Sequence, residues 1–98
     1  MKWQLPMVMN QPAAPDMTGR IIEKIITAMR DCNYMIMNGT FRQFQVAYGK
    51  YEILKELLVE DGHQIVVANK VTYTESNSPR TIFTSISIDG NQHTIPLT

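Results

Sequence analysis

The stretch NYMIMNGTFRQFQVAYG, Asn33–Gly49, carries the clearest turn signal in the 98-residue chain. Asn38 and Gly39 are the residue types that most readily supply the two positive φ angles of a type I′ turn. A short apolar run, Tyr34–Met37, precedes this pair. After it, Phe41–Tyr48 alternates apolar and polar residues, which is typical of a strand with one covered face. The stretch therefore predicts a β-hairpin that reverses at Asn38-Gly39.

A helix is predicted on each side of this hairpin. Between Met17 and Cys32, isoleucine and methionine recur at intervals of four residues, with charged residues mostly on the other face. This is the pattern of an amphipathic helix. Lys50–Glu60 has the same periodicity, and Asp61-Gly62 is expected to end this second helix.

Four more segments have the character of strands: Lys2–Asn10, His63–Thr74, Arg80–Ile88 and His93–Leu97. The predicted order is β-α-β-β-α-β-β-β, with a tight turn at Asp89-Gly90. Two helices that pack on a mostly antiparallel sheet make a two-layer α+β domain. We expect one domain over residues 1–98, in which residues 1–15 form an N-terminal strand or an arm.

Composition argues against several classes of protein. Nine basic and nine acidic side chains cancel to a net charge of zero and are spread along the chain, which disfavours a nucleic-acid binder. A single cysteine argues against a disulfide-stapled secreted scaffold. Neither a signal peptide nor an apolar run of membrane-spanning length is visible, so we expect an intracellular location and no membrane partner.

Few residues could carry chemistry. Cys32 with His63 or His93 is the one nucleophile–base combination that the residue types allow, and a buried structural thiol is the preferred interpretation. The two histidines lack the spacing of metal ligands. None of the five glycines lies in a phosphate-binding motif. We therefore expect no enzyme activity, no cofactor and no metal.

The candidate functional residues are side chains that could contact another protein. Trp3 is one, because tryptophan is enriched among interface hot spots, although a lid over the core is an equal alternative. Methionines favour adaptable contact surfaces, although core filling is the better interpretation of most of the seven. The predicted interface residues are Trp3, Met7, Met35, Met37 and Phe83.

The run from Arg20 to Gly62 resembles part of the major capsid proteins of tailed phages and their encapsulin relatives. The likeness lies in a helix of the type IIEKIITAMRDCNY, followed by a strand, a turn, a helix like GKYEILKELL, and DG. Those proteins are several times longer and have a spine helix and an extended loop that have no counterpart here. The resemblance implies a small virion-associated or assembly subunit, and it carries over no catalytic residue.

These observations together predict a non-enzymatic, phage-associated assembly protein that oligomerises or docks on a larger assembly in the host cytoplasm or the virion. Sheet edges in so small a domain favour pairing with another chain. The alternative is a small inhibitor or ligand-binding module, such as a phage-encoded blocker of a host system.

Overall fold

The computed structural model describes residues 13–74 and 78–97 of the chain. Two helices, α1 (Ala13–Asn38) and α2 (Phe41–Glu60), are followed by a three-stranded sheet. The strands are β1 (Ile65–Tyr73), β2 (Pro79–Ile88) and β3 (Asn91–Thr94). The predicted α+β class is confirmed, but the order of elements is α-α-β-β-β. The predicted strand Lys2–Asn10 lies outside the described residues.

The predicted hairpin at Asn38-Gly39 is wrong, because this pair connects two helices. Thr40 accepts a hydrogen bond from the Gln43 backbone N–H at 3.1 Å, and the Gln43 side chain accepts one from the Thr40 N–H at 2.9 Å. This reciprocal capping box starts α2 and satisfies two backbone donors that would otherwise lack partners. A helix is therefore initiated at Thr40, where the alternation of apolar residues had predicted a strand.

Gly39 lies close to Met35, whose side chain would have to move to accept any larger residue at position 39. A Cβ atom on Gly39 would collide with the Met35 sulfur. The Arg80 guanidinium, reaching over from β2, donates through Nη1 to the Met35 carbonyl and, at 2.8 Å, to the Gly39 carbonyl. A cation at the carbonyl end of a helix also interacts favourably with the helix dipole. Arg80 thus holds the end of α1 and the short connection together.

The predicted stop of α2 at Asp61-Gly62 is confirmed. Gly62 has φ +95°, a conformation that glycine adopts without a steric penalty. Its N–H donates to the Val59 carbonyl, and the His63 N–H donates to the Leu58 carbonyl. These two bonds form a Schellman motif, which ends the helix and directs the chain into β1.

The sheet is an antiparallel meander in the order β1-β2-β3. Ala68 pairs with Ser85 and Asn69 with Phe83, so Thr84 is an extra residue that forms a bulge in β2. The turn between β2 and β3 has positive φ at both Asp89 and Gly90, as a type I′ turn requires. The predicted turn at this position is confirmed.

The hydrophobic core of the described residues lies between the helix layer and the sheet. The fully buried ring of Phe83 is its centre, with its centroid 4.6 Å from that of Tyr51 and 6.1 Å from that of Tyr48. Tilted and offset aromatic pairs of this kind add stability beyond the area they bury. The other buried apolar residues are Ile25, Ala28, Met29, Cys32, Phe44, Ala47, Leu58, Ile86, Ile88 and Ile95.

A buried polar contact fixes α1 to the sheet. The Asn33 side chain accepts a hydrogen bond from the Phe83 N–H at 2.8 Å and donates to the Phe83 carbonyl at 2.8 Å. Its amide nitrogen also donates to the Pro96 carbonyl at 2.9 Å. The residues after β3 are held to β2 by the bond from the Ile95 N–H to the Thr84 carbonyl. The predicted strand His93–Leu97 is thus shorter and displaced, since β3 covers Asn91–Thr94.

Candidate interaction surface

The structure separates the predicted interface residues from one another. Phe83 is fully buried in the core, so it is not available to a partner. Met35 is half-buried beside Gly39, whereas Met37 is 85% exposed. Trp3 and Met7 lie outside the described residues. The predicted set does not form one surface within the part of the chain that the structure describes.

Cys32 lies in the core and is poorly suited to nucleophilic chemistry. Burial, together with the nearby negative charge of Asp31, raises the pKa of the Cys32 thiol to about 12. The thiolate is the reactive form of cysteine, and a pKa this high leaves almost none of it at neutral pH. The structure therefore gives Cys32 a packing role between α1 and the rest of the core.

His63 takes part in a small polar cluster at one end of the sheet. Its Nδ1 lies 2.6 Å from Asp89 Oδ2, and its Nε2 lies 3.6 Å from Asp61 Oδ2. The hydrogen bond to Asp89 raises the pKa of His63. A hydrogen bond from the Gln64 N–H, together with His63, lowers the pKa of Asp89. The cluster ties the α2–β1 connection to the β2–β3 turn.

One exposed feature of the structure is a line of aliphatic side chains along α2. Val46, Ile53 and Leu57 are 55%, 63% and 46% exposed. Their spacings of seven and four residues place them on one side of the helix. The buried residues Phe44, Ala47, Tyr51 and Leu58 lie on another side and fill the core. We refer to Val46, Ile53 and Leu57 as the outer stripe.

A groove between α1 and α2 lies beside Ile53, in the middle of the outer stripe. It has a volume of about 540 Å³ and is open to solvent. Ile53 lines this groove together with basic and acidic side chains of both helices, among them Lys24, Asp31 and Lys50. At Ile53 the outer stripe is therefore bordered by charges of both signs, as at an interface with an apolar centre and a polar rim.

Sequence reasoning missed the outer stripe because it assigned its members elsewhere. Val46 was expected in the strand Phe41–Tyr48, and Ile53 and Leu57 in a shorter helix, Lys50–Glu60. The available signal was the four-three-four spacing of Arg42, Val46, Gly49 and Ile53, which is a helical period. The Thr40–Gln43 capping box would have extended the helix far enough to show it.

Neither metal binding nor membrane crossing is indicated by the described residues. Among them, no three or more His, Cys, Asp and Glu side chains form a group that could hold a metal ion. Neither described helix combines the length and the apolar character that crossing a bilayer demands.

Comparison with known proteins gives no family assignment. The chain matches no protein-family model, no curated protein and no solved structure.

Proposed function

We propose that the protein is a non-enzymatic assembly subunit that associates with other protein chains through the outer stripe. The observation that carries the proposal is the exposure of three aliphatic side chains in line along α2. Burying apolar surface stabilises a complex by about 25 cal/mol per Å², so a line of such residues favours association. Single exposed apolar residues are common on proteins, whereas several that are aligned on one side of a helix favour a binding surface.

Two further observations support this function. The pKa of Cys32 is raised to about 12, which argues against the nucleophile that residue types had suggested. The net charge of zero gives little electrostatic repulsion between copies of the chain. A more specific proposal is a virion-associated role, in the host cytoplasm or in the virion itself. It rests only on the resemblance to phage capsid proteins.

The test compares Ile53→Lys with Val66→Lys by sedimentation velocity over a wide concentration range. Val66 is 67% exposed and lies on β1, away from the outer stripe, so it is the matched control. We expect the wild type and Val66→Lys to self-associate alike. The Ile53→Lys variant should reach the same average mass only at a protein concentration at least about tenfold higher, since the substitution removes a large apolar contact from each copy.

Urea unfolding of both variants checks that the monomer is intact. A wild-type chain that stays monomeric at every concentration would contradict self-association and favour the inhibitor or ligand-binding alternative. Equal weakening by both substitutions would contradict the assignment to the outer stripe.

A further inference from the structure

Three features of α2 have no explanation within the described chain. Gly49 lies mid-helix, where glycine is the least favourable residue after proline, and a Cβ atom at this position would meet nothing within 4 Å. Arg42 lies in the first turn of α2 and Glu60 in its last turn. These charges have the wrong sign for the two ends of the helix dipole, which favours acidic residues at the start and basic residues at the end.

All three residues lie on the same side of α2 as the outer stripe. Arg42, Val46, Gly49, Ile53 and Glu60 follow one another at intervals of three, four or seven residues. Such spacing forms a continuous seam along a helix, of the kind that packs against a second helix. Arg42 and Glu60 are exposed at the two ends of this seam, and Gly49 and Ile53 lie near its middle.

We infer that the partner of this seam is a second copy of the same chain, with its α2 antiparallel across a two-fold axis. The inference rests on the proposed function. Arg42 and Glu60 are each nine residues from position 51, and Gly49 and Ile53 are each two residues from it. An axis at the level of position 51 therefore sets Arg42 opposite Glu60 of the second copy, and Gly49 opposite Ile53 of the second copy.

In this arrangement each of the three features of α2 makes a contact with the second copy. The Ile53 side chain of each copy packs into the space that Gly49 leaves open on the other, and Val46 meets the region of Leu57. Arg42 and Glu60 form an ion pair at each end of the seam. A two-fold contact needs one self-complementary patch, and the seam provides an apolar middle with opposite charges at its ends.

The charge test uses Arg42→Glu, Glu60→Arg and the double variant, with Glu52→Arg as the control. Both single substitutions improve the fit to the helix dipole, so the monomer should not lose stability. Each places like charges opposite each other twice, and we expect association to weaken about tenfold at low salt. The double variant restores both pairs and should recover wild-type association. Glu52→Arg, on another exposed side of α2, should have no effect.

The steric test uses Gly49→Leu with and without Ile53→Ala. Leucine is a better helix former than glycine, and a Cβ atom at position 49 meets nothing within 4 Å, so the midpoint of thermal unfolding of the monomer should not fall. We expect Gly49→Leu to weaken association at least about tenfold, which corresponds to one such large contact. Adding Ile53→Ala places the new leucine of each copy opposite an alanine of the other copy, so the double variant should recover most of the lost association.

The outcomes separate this arrangement from the function on which it rests. Loss of association in Ile53→Lys, without rescue in either double variant, would overturn the antiparallel arrangement and leave the proposed function standing. Wild-type association in Ile53→Lys would overturn both. Rescue in both double variants would establish the pairing.

Discussion

The side-chain amide of Asn33 pairs with both backbone groups of Phe83 in the way that a neighbouring β-strand would. Its oxygen accepts from the Phe83 N–H and its nitrogen donates to the Phe83 carbonyl, each at 2.8 Å. Strand β3 pairs with β2 only from Ser85 to Ile88, so at Phe83 the side chain of α1 replaces the missing strand. A buried backbone group needs such a partner.

Replacing Asn33 with alanine should destabilise the fold by about 2–4 kcal/mol, since it leaves buried N–H and carbonyl groups of the sheet without partners. Urea unfolding measures the change. Asn38→Ala is the control, because that side chain is exposed and makes one hydrogen bond of 3.2 Å to the Tyr34 carbonyl. The control should cost less than about 1 kcal/mol. Equal costs in the two variants would contradict the strand-like role of Asn33.

The His63–Asp89 contact should make stability depend on pH. The pKa of His63 is raised in the folded state. Its contribution to the free energy of unfolding is therefore fully present below about pH 6.5, the ordinary pKa of histidine, and is lost as the pH rises through the folded-state pKa. The lowered pKa of Asp89 gives stability that is present above about pH 3.9 and is lost as pH falls through its folded-state pKa. The contribution of the pair is therefore greatest between about pH 4 and pH 6.5.

Asp89→Asn tests this dependence, because asparagine tolerates the positive φ at position 89 and keeps an acceptor for the Gln64 N–H. Urea unfolding at pH 5.5 and pH 9 should show a larger loss of stability at the lower pH. Asp61 also faces His63 and remains in this variant. In a His63→Gln background the same substitution should lose its pH dependence. If the dependence persists there, it arises from another group.

Thr40→Ala should destabilise the protein by about 1 kcal/mol, since it removes the side-chain oxygen that caps α2. The matched control is Thr27→Ala, an exposed position within α1, where alanine is the better helix former and should be neutral or slightly stabilising. Thermal unfolding of the two variants makes the comparison. A Thr40 variant as stable as the wild type would show that tertiary packing alone fixes the start of α2.

Arg80→Met should lower the free energy of unfolding by about 1–3 kcal/mol, because the Met35 and Gly39 carbonyls lose a charged hydrogen-bond donor. Arg80→Lys should recover only part of this loss, since an ammonium group cannot reproduce the planar guanidinium fork. Amide hydrogen exchange adds a local readout, and protection should fall most in the last turn of α1. A uniform decrease in protection across the molecule would indicate that Arg80 acts only through general packing.

The sequence predicted those parts of the fold in which the apolar residues follow either a helical period or a strand period, but not both. The spacing of the isoleucines after Met17 fits a helix and does not fit a strand. The Asp89-Gly90 turn directly follows Arg80–Ile88, where apolar and polar residues alternate as they do in a strand. The region after Gly39 satisfies two periods at once. Phe44 and Tyr48 are two strand repeats apart and also one helical turn apart, so alternation alone cannot separate the two structures.

What decided this region was local hydrogen bonding at Thr40 together with contacts from distant residues. Arg80 binds the end of α1 from a strand 41 positions beyond Gly39. No periodicity within one segment contains that information. The outer stripe was hidden for the same reason, since an exposed line on α2 becomes visible only after the helix has its full length. Trp3 and Met7 remain predictions.

The bond from Asn33 to Pro96 joins residues 63 positions apart. During synthesis, α1 and α2 can form as soon as they emerge, because their contacts are close in sequence. The amide of Asn33, however, has no partner in Phe83 until β2 has been made, and its last hydrogen bond waits for Pro96. We therefore expect nascent chains that end before β2 to hold a helical hairpin whose core face is still accessible to chaperones. The last hydrogen bond between α1 and the rest of the fold forms only when the residues after β3 have emerged.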